Sequence, residues 1–290
     1  MKLKVFKKGF NFAQDGPGNR LVMHLQGCNM HCPWCANPEG MALHGALMVN
    51  FGLLLDEVCP FGAIREGRRD AVLCKACTSR VCVSPETRNA GIRLSYEEEN
   101  TEELAEMAAA CQALFFAGGG VTITGGEPTL QFEAVKELLI ALKEKNIDTA
   151  LETNATSSRL GELLPLIDHL IVDYKIPVSN RHKHFTGAAD SVIKQNISLA
   201  GMRHRDILVR TPLIRGVNDK KEDCEAFLEF YKTCRTCNMM FEFLPYHEYG
   251  KVKWEQCGME YRMGNAFVDE ATVRLFIESF QEAGFHVVAT

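Results

Sequence analysis

Apolar residues along this chain follow two alternating patterns, short runs typical of buried strands and longer stretches with the spacing of amphipathic helices. Six short runs predict strands, at residues 20–26, 121–124, 149–152, 170–173, 207–213 and 240–244. Helical patterns lie between and after them, at residues 131–145, 160–167, 191–201, 221–233 and 270–282. Strands that alternate with helices favour parallel βα units. The predicted fold is α/β, an open, partial (β/α)6 barrel of parallel strands.

One stretch lacks this alternation of strands and helices. Residues 41–98 hold four cysteines and a Cys59-Pro60 turn, and they lack the regular strand–helix alternation. We interpret 41–98 as a small cysteine-rich insert that follows the first strand and its loop. Residues 1–40 and 99–290 then form the barrel itself.

Length and charge narrow the class of protein. A chain of 290 residues suits one large domain with an insert, and its net charge of −5 implies no general affinity for nucleic acid. The basic N-terminus lacks the apolar segment of a signal peptide, and no stretch approaches the roughly 18 apolar residues of a membrane span. Twelve cysteines in such a chain indicate reduced thiols and metal clusters. We therefore expect a cytoplasmic, oxygen-sensitive monomer.

Three cysteines follow the first predicted strand with C-x3-C-x2-C spacing: Cys28, Cys32 and Cys35. A cubane iron–sulfur cluster has four irons, each of which takes an external ligand. Three thiolates leave one iron open, and an open metal position is where chemistry occurs. Structural zinc sites prefer closed coordination from paired C-x2-C motifs. On spacing alone, a zinc knob and three unrelated buried thiols remain alternatives.

Further motifs follow in order along nearly the whole chain. They are Asp15-Gly16-Pro17-Gly18-Asn19-Arg20, the cysteine loop, Gly118–Pro128, Glu152-Thr153-Asn154, Val172-Asp173-Tyr174-Lys175, and Leu244–Lys251 with Trp254. Each motif alone is weak evidence for a particular function. The ordered set resembles the radical S-adenosylmethionine superfamily and, within it, the glycyl radical enzyme activating enzymes, of which the pyruvate formate-lyase activating enzyme is one.

This resemblance implies a mechanism. Cys28, Cys32 and Cys35 would bind a [4Fe–4S] cluster whose fourth iron holds S-adenosylmethionine. An electron supplied by a reductant such as flavodoxin or ferredoxin would break a carbon–sulfur bond of this cofactor. The products would be methionine and a 5′-deoxyadenosyl radical. That radical would take hydrogen from a backbone glycine of a partner glycyl radical enzyme.

The resemblance also implies contacts to S-adenosylmethionine from several strand ends. The expected contacts are Trp34, Cys35, Ala36, Gly125, Gly126, Glu127, Asp173, Lys175, Arg210 and His247. Trp34 would pack against adenine or cover the cluster. Ala36 stands where many activating enzymes have histidine, so any hydrogen bond from that histidine is missing here.

Two further roles are implied by the same resemblance. Glu152, Thr153 and Asp173 correspond to a site for a monovalent cation, in which Glu152 replaces the more usual aspartate. Asp15 lies in a loop that, in the family, faces the incoming peptide of the partner enzyme.

The cysteines of the insert are fragments of ferredoxin-like runs. Cys59, followed by proline, resembles the end of one run, and Cys74 and Cys77 open a second. With Cys82 as a relocated fourth ligand, these thiolates would hold an auxiliary [4Fe–4S] cluster. A zinc site from the same four thiolates and an insert that binds no metal are the alternatives.

Two other functions are compatible with parts of this sequence. One is a radical S-adenosylmethionine enzyme that acts on a small molecule or peptide, which the absence of a C-terminal cysteine-rich extension disfavours. The other is a non-catalytic iron–sulfur electron carrier, which leaves the motifs at several strand ends unexplained. The sequence does not identify which glycyl radical enzyme is the partner.

Overall fold

The computed structural model describes residues 1–54, 59–65, 67–84 and 91–289. Its strands are β1 (Lys2–Phe12), β2 (Asn19–Leu25), β3 (Leu47–Val49), β4 (Ile64–Arg65), β5 (Arg68–Arg69), β6 (Ile92–Leu94), β7 (Glu97–Asn100), β8 (Val121–Gly125), β9 (Thr149–Thr153), β10 (His169–Asp173), β11 (Ile207–Leu213), β12 (Met239–Pro245) and β13 (His286–Val287). Its helices are α1 (Ala71–Ala76), α2 (Thr101–Ala110), α3 (Phe132–Glu144), α4 (Leu160–Leu163), α5 (Ser179–Thr186), α6 (Ser191–Arg203), α7 (Lys221–Tyr231), α8 (Lys251–Gln256) and α9 (Glu270–Glu282).

One sheet dominates the molecule. Nine strands lie in the order β13-β12-β11-β10-β9-β8-β2-β1-β7. From β2 to β13 every neighbouring pair is parallel, whereas β1 is antiparallel to both β2 and β7. The predicted α/β fold with a partial barrel of parallel strands is confirmed. Each of the six predicted strands matches an observed one to within two residues at either end.

The first strand of the chain was not predicted. Strand β1 pairs with β2 in a hairpin, so the cysteine loop follows the second strand of the chain and not the first. In β1 the buried Leu3 and Val5 alternate with lysines, which is the pattern of a half-buried strand. We had interpreted these lysines only as a basic N-terminus.

Within the predicted insert, the described residues form short strand pairs of their own. Strands β3 and β6 pair with each other, β4 and β5 form a hairpin, and a local apolar cluster joins Val49, Ile64, Cys82 and Ile92. Residues 97 and 98, which we had assigned to the insert, belong to β7 and extend the main sheet.

The two faces of the main sheet differ in chemistry. In β2, Leu21, Met23 and Leu25 belong to the apolar core that contains the residues of α3. Successive side chains of a strand alternate between faces, so Arg20 and His24 point to the opposite side, the barrel interior. The interior face of the sheet is therefore partly polar and can carry the side chains of a functional site.

An ionic network joins the strands at the amino end of the barrel. Arg20 is fully buried and pairs with Asp148 at 2.8 Å, and it donates to the hydroxyl of Thr122 at 2.7 Å. His169 lies between two carboxylates, with Nδ1 2.7 Å from Asp206 and Nε2 3.2 Å from Asp148. Burial opposes the charge on this imidazole, but the two carboxylates outweigh it and raise the pKa of His169 to about 9.

The raised pKa predicts a stability that depends on pH. Because the pKa rises from its ordinary 6.5 to about 9 on folding, the stabilisation is complete below pH 6.5 and is lost as the pH rises through about 9. It should amount to on the order of 2 kcal/mol. Anaerobic urea unfolding at pH 6 and pH 10 should show this loss in the wild type and not in His169→Gln. His44→Gln, at an exposed histidine, is the matched control; equal pH dependence in all three proteins would contradict the assignment.

Within residues 1–54, 59–65, 67–84 and 91–289, every helix is too short or too polar to span a lipid bilayer.

Candidate functional site

The predicted site residues gather at the carboxyl edge of the parallel strands. The cysteine loop follows β2, Gly125 ends β8, Thr153 ends β9, and Asp173 ends β10. In parallel barrels this edge carries the active site. Arg210 is the exception because it lies in the middle of β11.

The cysteine loop holds Cys32 buried and Cys28 and Cys35 half-buried. Burial, the largest cause, raises the pKa values of Cys28 and Cys32 to about 12 and also raises that of Cys35. Two backbone amides point at sulfur: Met30 N lies 3.3 Å from Cys28 Sγ, and Asn37 N lies 3.4 Å from Cys35 Sγ. Amide donors of this kind favour thiolate and tune iron–sulfur clusters. A metal cluster that binds here must displace protons from the thiols.

Lys175 supplies positive charge beside these thiols. Its Nζ donates to Asp173 at 2.7 Å, and its charge stabilises the thiolate forms of Cys28, Cys32 and Cys35. Burial would lower the pKa of Lys175, but Asp173 and the thiolates outweigh burial and raise it. Three thiols, nearby amide donors and one ammonium group form a donor set that fits an anionic iron–sulfur cluster.

The turn after β8 packs tightly against the start of the cysteine loop. A Cβ atom on Gly125 would lie 2.2 Å from the Leu25 nitrogen, and one on Gly126 would lie 2.1 Å from the Gly27 oxygen. Only glycine permits this approach. The Glu127 amide donates to the same Gly27 oxygen at 2.7 Å. The glycines therefore place this turn directly beside the cluster loop.

The carboxylate of Glu127 is already occupied by protein donors. It is fully buried and accepts from Thr153 Oγ1 at 2.8 Å, Asn154 N at 2.7 Å and Thr129 N at 3.0 Å. Burial raises its pKa, against the effect of these hydrogen bonds. Its side chain therefore ties the end of β8 to the end of β9, and the backbone of this turn is the part left to meet a ligand.

The predicted cation site is not assembled from its three side chains. Glu152 accepts from Thr124 at 2.7 Å and pairs with Arg210 at 3.1 Å. Thr153 lies on the opposite face of β9, where its hydroxyl donates to Glu127. Asp173 pairs with Lys175. Because Glu152 and Thr153 direct their side chains to opposite faces of β9, a monovalent cation here would take the side chain of one and at most the backbone of the other, and the cation site stays a prediction.

Arg210 links three polar groups inside the barrel, which the sequence did not predict. This buried guanidinium donates to Glu242 at 2.6 Å, to Glu152 at 3.1 Å and, through Nη2, to the backbone carbonyl of Gln14. These partners raise the pKa of Arg210 against the effect of burial, whereas burial and nearby Asp173 raise that of Glu152 against the pull of Arg210. We had not singled out Glu242; the signal was one carboxylate in an otherwise apolar strand.

The remaining predicted contacts line the loop from different sides. Trp34 is buried, and its ring centroid lies 6.1 Å from that of Phe185. A Cβ atom on Gly250 would lie 2.8 Å from the Cα atom of Ala36, so the chain after β12 closes over the cluster loop. Trp254 Nε1 donates to the Cys35 carbonyl at 2.9 Å.

His247 stands at the rim and away from these contacts. It is exposed on the segment after β12, and its ring stacks on Tyr249 with centroids 4.2 Å apart. Burial of part of the ring lowers its pKa, so the imidazole is neutral near pH 7.

Asp15 lies in the loop that joins β1 to β2. Its carboxylate accepts from Asn11 Nδ2 at 2.5 Å, and its carbonyl accepts from Thr122 Oγ1 at 2.6 Å. The neighbouring Gln14 is the residue that Arg210 holds. These hydrogen bonds hold the Asp15 loop against the barrel interior near the start of β8, whereas the cysteine loop lies at the opposite, carboxyl end of the strands.

Two of the four cysteines of the predicted insert, Cys59 and Cys82, pack at the same small apolar cluster. Cys74 lies on α1, which Asp70 caps, and Cys77 follows that helix directly. Burial raises the pKa of Cys82, and the thiolates of Cys59, Cys74 and Cys77 raise it further. In the described part of the chain, no three Cys, His, Asp or Glu side chains converge closely enough for a single metal ion.

A half-open parallel barrel with a three-thiol loop at its carboxyl edge defines an iron–sulfur radical enzyme. Residues 22–230 match the model of the Radical SAM superfamily, and the chain belongs to that family. It is 33% identical to the isethionate sulfite-lyase activating enzyme of Nitratidesulfovibrio vulgaris, over 90% of each chain. It is 32% identical to the 4-hydroxyphenylacetate decarboxylase activating enzyme of Clostridioides difficile, over 94% of this chain and 91% of the relative. The indoleacetate decarboxylase activating enzyme of Tractidigestivibacter scatoligenes is 30% identical, over 91% and 90% of the two chains.

Solved structures share the fold of this chain. A domain of the pyruvate-formate lyase-activating enzyme from Bacteroides vulgatus matches with a TM-score of 0.50 at 25% identity, over 59% of this chain and 98% of that domain. A radical SAM methyltransferase from Sphaerobacter thermophilus shares the fold, with a TM-score of 0.58 at 12% identity over 98% of this chain and 68% of that one. The predicted membership among the glycyl radical enzyme activating enzymes, and the predicted activity, are confirmed.

Proposed function

We propose that Cys28, Cys32 and Cys35 hold the [4Fe–4S] cluster at which this chain cleaves S-adenosylmethionine, and that the radical passes to a glycine of a partner enzyme inside the barrel. The observation that carries this proposal is the set of three buried or half-buried thiols beside Lys175. Anaerobic reduction in the presence of S-adenosylmethionine tests it. Release of 5′-deoxyadenosine separates this function from that of an electron carrier, which cannot form that product.

When bound, the cluster supplies the electron that breaks the carbon–sulfur bond of S-adenosylmethionine, and the chain supplies position and shielding. The backbone of Gly125 and Gly126 offers unobstructed N–H and C=O groups next to the loop. Lys175 and Asp173 offer opposite charges at the same edge. Trp34 and the segment that contains Gly250 limit the access of water to the loop.

Three further residues complete the proposed contacts to the cofactor. Ala36 follows the last cysteine, and His247 offers a neutral imidazole at the rim. Arg210 contributes by orientation, because its guanidinium is held by two carboxylates and one carbonyl. It fixes the geometry of the interior below the cofactor.

We also propose that the insert carries an auxiliary [4Fe–4S] cluster on Cys59, Cys74, Cys77 and Cys82. The support is the mutual effect of their thiolates and the ferredoxin-like Cys-Pro and C-x2-C fragments. All four ligands come from protein, so this cluster has no iron open to S-adenosylmethionine. A zinc site from the same thiolates is the alternative.

The setting of the enzyme follows from the same chemistry. We propose a cytoplasmic monomer that takes its electron from reduced flavodoxin or ferredoxin and binds neither nucleic acid nor membrane. All twelve cysteines are free thiols, which suits a reducing compartment, and the net charge of −5 does not favour nucleic acid.

Asp15→Asn tests the proposed role of the loop between β1 and β2. This change should lower the yield of glycyl radical on the partner about tenfold. It should lower uncoupled cleavage of S-adenosylmethionine less than twofold, because the hydrogen bonds of Asp15 go to Asn11 and Thr122 and not to the cysteine loop. Spin counting by paramagnetic resonance and chromatography of 5′-deoxyadenosine give the two rates. Glu278→Gln, on the exposed side of α9, is the control; equal losses in both assays would speak against a role toward the peptide.

A further inference from the structure

Strand β1 has a free edge over half its length. Strand β7 covers it only from Lys2 to Val5, whereas β2 pairs with it as far as Phe12. In the part of the chain that the structure describes, no strand lies against the other side of residues 7–12. An unpaired strand edge presents a row of N–H and C=O groups that can pair with another extended chain.

Exposed aromatic side chains flank this edge. Phe12 is 56% exposed and stacks on Phe116, which is also 56% exposed, with centroids 5.9 Å apart. Phe10 is exposed and packs near Phe115 at 6.3 Å. Proteins usually protect a free edge with charge. Lys7 and Lys8 place charge at the start of this edge, and Lys8 pairs with Glu99, whereas Phe10 to Phe12 carry none. The aromatic end of the edge is therefore the part suited to binding.

The position of the edge connects it to the barrel interior. Residues 7–12 run directly into the loop that holds Gln14 and Asp15, and Arg210 reaches that loop from inside the barrel. Among the strands that the structure describes, the sheet ends at β7 and β1 on one side and at β13 on the other, so the barrel they form is open between these ends. An extended chain along β1 would therefore lie at the open side and lead toward the interior.

We propose that an extended segment of the partner glycyl radical enzyme pairs with the free edge of β1 over residues 7–12 and covers Phe12 and Phe116. This docking would lead the glycine-bearing segment of the partner to the Asp15 loop. The inference rests on the proposed function, because only a protein substrate needs such a surface. Addition of a strand to a sheet edge is an established mode of peptide binding, in which the main chain gives affinity and alternate side chains fill apolar sites.

The probe is the purified glycyl radical enzyme encoded beside the gene for this chain. Phe12→Lys/Phe116→Lys should raise the partner concentration needed for half-maximal radical formation at least tenfold. It should leave 5′-deoxyadenosine release without partner unchanged, because neither ring touches the cofactor site. Met202→Lys/Ile140→Lys, at exposed apolar positions on α6 and α3, is the matched control and should change neither quantity.

Hydrogen exchange on the unmodified protein gives a second reading that does not depend on the folding of any variant. The amides of residues 7–12 should exchange more slowly with partner present, and those of α6 should not. An unchanged half-maximal concentration, or unchanged exchange over residues 7–12, would overturn the docking proposal. Self-association of the wild type that the double variant abolishes would assign the edge to a second copy and also overturn it. A wild type that releases no 5′-deoxyadenosine would instead refute the proposed function.

Discussion

Cys35→Ala is expected to abolish the release of 5′-deoxyadenosine from the reduced, reconstituted protein, with a loss of more than about 100-fold. The loop supplies only three thiolates to the cluster, and none can be spared. Cys35 also receives the Asn37 amide and carries the carbonyl that Trp254 holds, so its position is fixed from two sides. Chromatography of the products measures the loss.

Cys237→Ala is the control for this result. Cys237 is an exposed thiol near the start of β12, and its Sγ accepts a hydrogen bond from Arg235 Nε at 3.4 Å. Its removal should leave both iron content and product release unchanged. Undiminished product from Cys35→Ala would refute the assignment of the catalytic cluster.

The second prediction with a large expected effect concerns the iron content of the protein. The reconstituted protein should hold about eight irons per chain, and Cys28→Ala/Cys32→Ala/Cys35→Ala should hold about four. The remaining four irons would belong to the predicted insert, with Cys59, Cys74, Cys77 and Cys82 as the proposed ligands. Metal analysis together with paramagnetic resonance of the reduced sample counts and distinguishes the clusters.

A matched variant removes the insert thiols and keeps the catalytic loop. Replacement of Cys59, Cys74, Cys77 and Cys82 by alanine should leave about four irons and measurable cleavage of S-adenosylmethionine. If the catalytic triple variant holds zinc and almost no iron, the insert is a structural zinc site and the auxiliary cluster is wrong.

The barrel could be predicted because its parallel strands are buried on at least one face and read as continuous apolar runs. Runs such as Ile207–Leu213 and Met239–Pro245 stand out against the helices on either side. Strand β1 lacks this signal, because its later half is exposed and its lysines alternate with apolar residues. The start of β7 was hard to predict for a similar reason, since Glu97–Asn100 is a polar strand that pairs with β1.

The site could be predicted only where its residues adjoin in sequence. The cysteine loop and the pair Asp173 and Lys175 occupy short motifs, so sequence spacing sufficed. The link of Arg210 to Glu242 joins different strands and depends on the sheet register, which no local pattern encodes. Glu152 and Thr153 are adjacent in sequence but point to opposite faces of the sheet, an arrangement that the short motif alone does not show.

The central claim is that this chain transfers a hydrogen atom from a backbone glycine of its partner to the radical formed from S-adenosylmethionine. The most direct measurement uses partner enzyme grown with α-deuterated glycine, mixed anaerobically with the reduced protein and S-adenosylmethionine. We expect a glycyl radical signal on the partner and one deuterium in the released 5′-deoxyadenosine by mass spectrometry. Cleavage of S-adenosylmethionine with neither deuterium transfer nor a partner radical would contradict the account.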